Sequence, residues 1–143
     1  MERIFKRVVI LLLVCLANTY AFANGKEAKS SNFDWNPVMD AIIQVESEGN
    51  PNAVSGKSCG AMQITPILVA ECNNILKKRN SKKRYKLSDR FNVAKSKEMF
   101  LLFQSYYNPK NSVEQAIRSW NGGMRYSVKG TQRYFNKVMK LLK

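Results

Sequence analysis

The sequence predicts a mostly α, single compact helical domain. Three observations lead there. The chain of 143 residues is about the length of one domain and can bury one hydrophobic core. Its composition, 45% hydrophobic and 24% charged, is globular rather than disordered. Apolar residues recur three and four apart between cap-like starts and glycine or proline stops, and no convincing run alternates with the period of a strand.

The elements follow in chain order. Residues 1–23 read as a secretory signal peptide: Arg3, Lys6 and Arg7 open it, residues 8–17 are an unbroken apolar run, and Ala21-Phe22-Ala23 puts small residues where a signal peptidase cuts. That run is about half the ~20 residues a bilayer helix needs, so export with cleavage is expected rather than a membrane anchor. Residues 24–33 are a polar, flexible leader, and 34–143 form the folded domain. A first helix is predicted over 37–48, with Asn36 as cap, Pro37 in the first turn, and Val38, Ala41, Ile42 and Val45 inward. Residues 50–64, rich in Gly, Ser, Asn and Pro, read as a loop with room for a short hairpin. Thr65-Pro66 starts a second helix, with Leu68, Cys72, Ile75 and Leu76 inward. A third is predicted over 89–107 on Val93, Phe100, Phe103 and Tyr107. Ser112 with Gln115 opens a fourth as a capping box, stopped by Gly122-Gly123. A last helix begins near Thr131 and buries Tyr134, Val138, Leu141 and Leu142.

Composition narrows the chemistry. The chain has no histidine, which excludes Ser-His-Asp and Cys-His catalysis and leaves no His ligand for zinc. No metal site and no cofactor is expected. Cys59 and Cys72 remain after signal cleavage, an even pair in an oxidising compartment. A disulfide between them is expected, with two buried free thiols as the alternative. The net charge of +14 calls for a polyanionic partner or surface. For an exported chain the cell wall fits better than nucleic acid, because the basic run from Lys77 to Lys86 lacks interleaved aromatics apart from Tyr85. That run reads equally as a solvated connection.

Glu46 is the candidate acid. It follows Ile42 by four residues and Ile43 by three, so it emerges at the margin of an apolar helix face near the helix C-terminus. Desolvation and the negative end of the helix both disfavour its ionised form, the condition a general acid needs. Glu48, beside Gly49, reads as solvated. Glu71 and Glu114 read as helix-start acids, and Asp89 as a cap.

Around it stand Glu46-Ser47 at a helix end, then Gly60-Ala61-Met62-Gln63, then Asp89-Arg90-Phe91-Asn92-Val93, then Ser119-Trp120-Asn121-Gly122-Gly123, then Tyr134. This order and spacing resembles the soluble lytic transglycosylase (SLT) family of the lysozyme-like α+β superfamily, similar to goose-type lysozyme. The resemblance covers about residues 36 to 140. It implies that Glu46 is the catalytic acid/base, that Ser47 supports it, and that a substrate groove runs beside the Gly60–Gln63 loop. Gly60 would give the chain room to approach a sugar, with Met62 and Gln63 lining the groove. Asn121 would contact substrate, and Tyr134 would face the catalytic carboxyl. Two residues depart from the family pattern: Ala61 stands where leucine is usual, and Trp120 stands where tyrosine is usual. Trp120 keeps the aromatic surface but moves the polar handle.

The activity so implied is cleavage of the MurNAc-GlcNAc β-1,4 bond of peptidoglycan with formation of a 1,6-anhydro end. The protein would be exported to the periplasm or outside the cell, associated with the wall, and not integral to the membrane after signal cleavage. Small relatives suggest a role in opening the wall for a secretion, pilus or conjugation apparatus. Two rival readings stand beside it: a hydrolytic muramidase on the same scaffold, which would want a second carboxylate, and a non-catalytic, basic cell-wall-binding component of such an apparatus.

Overall fold

The computed structural model describes residues 33–143. The expected signal peptide lies outside them, as does nearly all of the leader. Five helices and one small hairpin make up the domain: α1 (Asn36–Ser47), β1 (Val54–Ser55), β2 (Ser58–Cys59), α2 (Pro66–Lys78), α3 (Val93–Tyr107), α4 (Val113–Gly122) and α5 (Val128–Leu141), with a 3-10 turn over Leu87–Phe91. The strands pair antiparallel, Val54 opposite Cys59 and Ser55 opposite Ser58. α4 packs most extensively on α5, α2 on α3, and α1 on α5. The predicted mostly helical class is what forms.

Local chemistry explains most boundaries. Thr65 Oγ1 accepts from the Leu68 N–H at 3.3 Å and Pro66 follows, so α2 starts where read. Ser112 accepts from the Gln115 N–H at 3.2 Å, but the expected capping box does not close: Gln115 Nε2 donates to the Tyr107 carbonyl instead, at 2.9 Å. At α1 the cap is displaced. Trp35 precedes the helix, and Asp34 accepts from the Asn36 backbone at 3.0 Å and from its side chain at 2.8 Å. The predicted helix over 89–107 is two elements. Asp89 turns back onto the Lys86 N–H at 2.8 Å and closes the 3-10 turn. Asn92 then caps α3 through the Lys95 N–H at 3.0 Å. That break leaves Val93 exposed rather than in the core. Likewise α5 begins at Val128, because Ser127 accepts from the Gly130 N–H at 3.0 Å, and Leu141 is exposed.

The core gathers Met39 and Ile42 of α1, Met62 and Ile64 of the loop, Cys72 of α2, Phe100 of α3 and Ile117 of α4. An aromatic line runs through it, Trp35 to Phe100 at 5.6 Å and Phe100 to Trp120 at 5.1 Å between ring centres. The basic run is pinned rather than loose at one point. Tyr85 is buried, its carbonyl accepting from Asn73 Nδ2 at 2.9 Å and its N–H donating to Asn73 Oδ1 at 2.8 Å. The expected disulfide is not formed. Cys59 and Cys72 are both buried free thiols, and the Cys72 thiol donates to the Met99 carbonyl at 3.6 Å inside the core. Among the described residues no helix is long and apolar enough to cross a membrane.

Candidate active site

α1 ends by placing Glu46 and Ser47 at its last turn. Glu48 and Gly49 then take left-handed backbone, φ 53° and 86°, which turns the chain sharply into the 50–64 loop. That loop folds back over the helix end and is held from several sides. Ser47 Oγ donates to the Ala61 carbonyl at 2.7 Å and also lies 3.2 Å from the Ile43 carbonyl. Gln63 Nε2 donates to the Gly60 carbonyl at 2.9 Å. The Arg90 guanidinium donates to the carbonyls of Lys57 at 3.0 Å and Ile64 at 3.2 Å. Trp120 Nε1 donates to the Met62 carbonyl at 3.1 Å.

Beside this clamp sits the carboxyl. Glu46 is partly buried, and the Tyr134 hydroxyl, delivered by α5, donates to its Oε1 at 2.8 Å. Burial pushes the Glu46 pKa above the ordinary glutamate value, and the Tyr134 hydrogen bond pulls it back by less. Tyr134 is held far above the usual tyrosine range by its own burial and by the neighbouring carboxylate, so it remains a proton donor. The pair is therefore a partly desolvated acid with one fixed donor.

A groove of about 460 Å³ opens between α2, α3 and α4; Glu46, Ser47 and Tyr134 are not among its lining residues. Gln63, Trp120 and Asn121 line it. Gly60 and Met62 do not. Met62 is fully buried in the core, and what it contributes is the carbonyl that Trp120 binds. Gly60 is buried with φ 79°, and a Cβ there would sit 1.8 Å from the Arg90 carbonyl oxygen. Backbone packing against the 3-10 turn requires a glycine there. Trp120 spends its N–H on the loop, so the handle displaced by the Tyr-to-Trp departure becomes a structural tie.

Two residues in or around this site were not among the candidate site residues. Arg90, within the Asp89–Val93 segment that carries the resemblance, fastens the loop. Glu71 is not a helix-start acid: it lies in the middle of α2 and lines the groove, where Tyr107 of α3 donates to its carboxylate. Its spacing from Ile67 and Leu68, four and three residues, was the available signal that all three share one face.

A mostly helical domain with one partly desolvated carboxyl at the end of its first helix is consistent with the lysozyme-like class of folds. Within that class the chain belongs to the Transglycosylase SLT domain family, whose model matches residues 23–141. Members of this family act on peptidoglycan outside the cytoplasm. No curated protein and no solved structure matches the chain.

Proposed function

We propose that the protein is an exported lytic transglycosylase that cuts the MurNAc-GlcNAc β-1,4 bond and leaves a 1,6-anhydro ring, with Glu46 as its single acid/base. The observation that carries this reading is the Glu46 carboxyl, partly buried and bound only by the Tyr134 hydroxyl among the hydrogen bonds of the described residues. Its raised pKa supplies the proton that the glycosidic oxygen takes as the bond breaks. The carboxylate so formed is stabilised by Tyr134 and accepts the proton of the muramic acid C6 hydroxyl as that oxygen closes onto C1. The attacking group belongs to the substrate, so it reacts at high effective concentration without a bound water.

The other acids favour this reading over a muramidase that needs a second carboxylate. Asp89 is bound by the Lys86 N–H and the Lys95 ammonium, which hold its carboxyl below the usual range. Glu114 pairs with Arg118 at 2.8 Å. Glu71 accepts from Tyr107 in a groove whose lining does not include Glu46. A secretion, pilus or conjugation apparatus remains the proposed setting, on resemblance and size.

The test is digestion of purified peptidoglycan with the protein and with Glu46→Gln, followed by mass spectrometry of the released ends. Glu46-dependent 1,6-anhydro ends are the expected result. Reducing ends would make it a muramidase, and no release by folded protein would make it a binding component.

A further inference from the structure

The groove contains a feature that the cleavage mechanism does not use. In a chain with 24 Lys and Arg against 10 Asp and Glu, its walls carry one charged residue among those described, and that residue is acidic: Glu71. Ile67, Leu68 and Glu71 share the groove face of α2, while Val69, Cys72 and Ile75 bury the opposite one. Tyr107 donates to Glu71 Oε1, and Asn74 Nδ2 lies 3.4 Å from Oε2. No Lys or Arg nitrogen of the described residues lies within ion-pair distance of Glu71, although Asp40, Asp89, Glu98 and Glu114 each have a cation partner. The Tyr107 hydroxyl is pushed up to about 12, first by the Glu71 hydrogen bond and then by burial, so it stays a donor and keeps the carboxylate oriented. The rings of Phe103 and Tyr107, 4.8 Å apart, stand in the same wall.

We propose that Glu71, oriented by Tyr107 and flanked by Phe103, is a subsite for an ammonium group carried by the peptidoglycan strand. An uncompensated carboxylate in a largely apolar groove gains most from a ligand that brings the missing positive charge, and aromatic faces beside it add cation-π attraction. Two sources in the wall carry that chemistry: the free side-chain amine of a diamino acid in the peptide stem, and the amine of a de-N-acetylated amino sugar. The subsite makes Glu71 a specificity-determining residue and Tyr107 its positioning residue. The inference rests on the proposed function, in that the groove is taken to hold the strand.

The experiment measures KM and kcat of the wild type, Glu71→Gln and Tyr107→Phe on three substrates: strands with free amines, the same strands after amine acetylation, and strands stripped of peptide by an amidase. Glu71→Gln is expected to raise KM about tenfold on amine-bearing strands, the scale of a lost charge-assisted hydrogen bond, with little change in kcat. Acetylation should raise the wild-type KM by a similar factor and leave Glu71→Gln unmoved, as two changes on one contact are non-additive. Tyr107→Phe should give a smaller loss. Retention of the preference on peptide-stripped strands would assign the sugar amine, and its disappearance the stem. Equal effects of Glu71→Gln on free and acetylated strands, or none on either, would overturn the proposal. A fall in kcat with loss of reducing ends would do so too, by making Glu71 a base. If the wild type cuts nothing, the functional reading fails by itself. Co-sedimentation of wild type and Glu71→Gln with free and acetylated strands still reads the amine dependence.

Discussion

The Tyr134 hydroxyl meets Oε1 of Glu46 at 2.8 Å, from 88 residues away in the chain. That contact joins the last helix to the end of the first, and it acts on the acid in opposition to burial: burial raises the Glu46 pKa and the hydrogen bond lowers it. A group that must be protonated to start the reaction loses activity as pH rises through its pKa. Tyr134→Phe removes the contribution that lowers the pKa and keeps the ring. The high-pH limb of the kcat/KM profile should therefore move to higher pH, while the maximum rate falls because the carboxylate left after proton donation has no donor. A pH-rate profile of the two proteins checks it, and a limb moving to lower pH would contradict the assignment.

The same carboxyl makes a stability prediction of definite sign. Its folded pKa is raised, so the folded state prefers the neutral form. Folding is penalised once pH exceeds both the unfolded and the folded values, and the penalty vanishes below the unfolded one. Glu46→Gln should then unfold like the wild type in acid and be more stable at neutral pH, by about 0.5–2 kcal/mol as is common when a strained functional group is removed. Activity should fall by the ~10²–10⁴ of a lost general acid. Urea melts at both pH values, set beside turnover, separate a catalytic loss from a folding loss.

How much of this was legible follows from what each signal encodes. Local chemistry was readable where one side chain decides the outcome: Thr65 and Ser112 cap their helices as read. Asn92 was not read, because an asparagine inside a continuous apolar pattern looks like one more helical residue until its side chain is seen to take the Lys95 N–H. Of the site, Glu46 was readable from its place at the margin of an apolar helix face, Ser47 and Tyr134 came from the resemblance, and the structure places Ser47 against the loop and Tyr134 on Glu46. Gly60 and Met62 lie away from the groove lining for one shared reason. A motif marks positions that matter and not which neighbour they matter to, and here those neighbours are the Arg90 carbonyl and the core. Glu71 was hidden because its meaning depends on Tyr107, 36 residues away.

The two cysteines give a test of the corrected redox state. Cys72 is fully buried, and its thiol is pushed up to about 12, chiefly by burial and then by the nearby Glu71 charge. Thiols of that kind are inert to reagents that need the thiolate. In native protein neither Cys59 nor Cys72 should react with a thiol reagent at mildly alkaline pH, both should react once unfolded, and a reductant should leave Tm unchanged. A reductant-induced fall in Tm would establish the bridge instead.

Trp120 is predicted to act through the loop as well as through the groove. Its Nε1 donates to the Met62 carbonyl at 3.1 Å while its ring packs on Phe100. Trp120→Phe keeps much of the aromatic contact and removes the donor, leaving a part-buried carbonyl without that partner. It should cost about 1–3 kcal/mol and raise KM more than it lowers kcat. Thermal melts and steady-state kinetics read the two effects separately, and an unchanged Tm would mean the tie does not hold the loop.

Gly56 and Gly60 form an internal control for how tightly that loop is packed. Both take left-handed backbone, φ 58° and 79°. An alanine at either carries the steric cost of that conformation, roughly 1–2 kcal/mol. At Gly56 a Cβ would meet nothing within 4 Å, so Gly56→Ala should cost only that. At Gly60 it would lie 1.8 Å from the Arg90 carbonyl oxygen, which is backbone and cannot swing away. Gly60→Ala should therefore cost at least about 2 kcal/mol more. The loop must shift to relieve the overlap, and the shift strains the Ser47-to-Ala61 and Trp120-to-Met62 bonds that fix the site. Turnover should then fall in Gly60→Ala although Glu46 and Tyr134 are untouched, and remain near wild type in Gly56→Ala. Equal losses at the two positions would show that the loop is free to move and that the clamp around Ser47 does not position the acid.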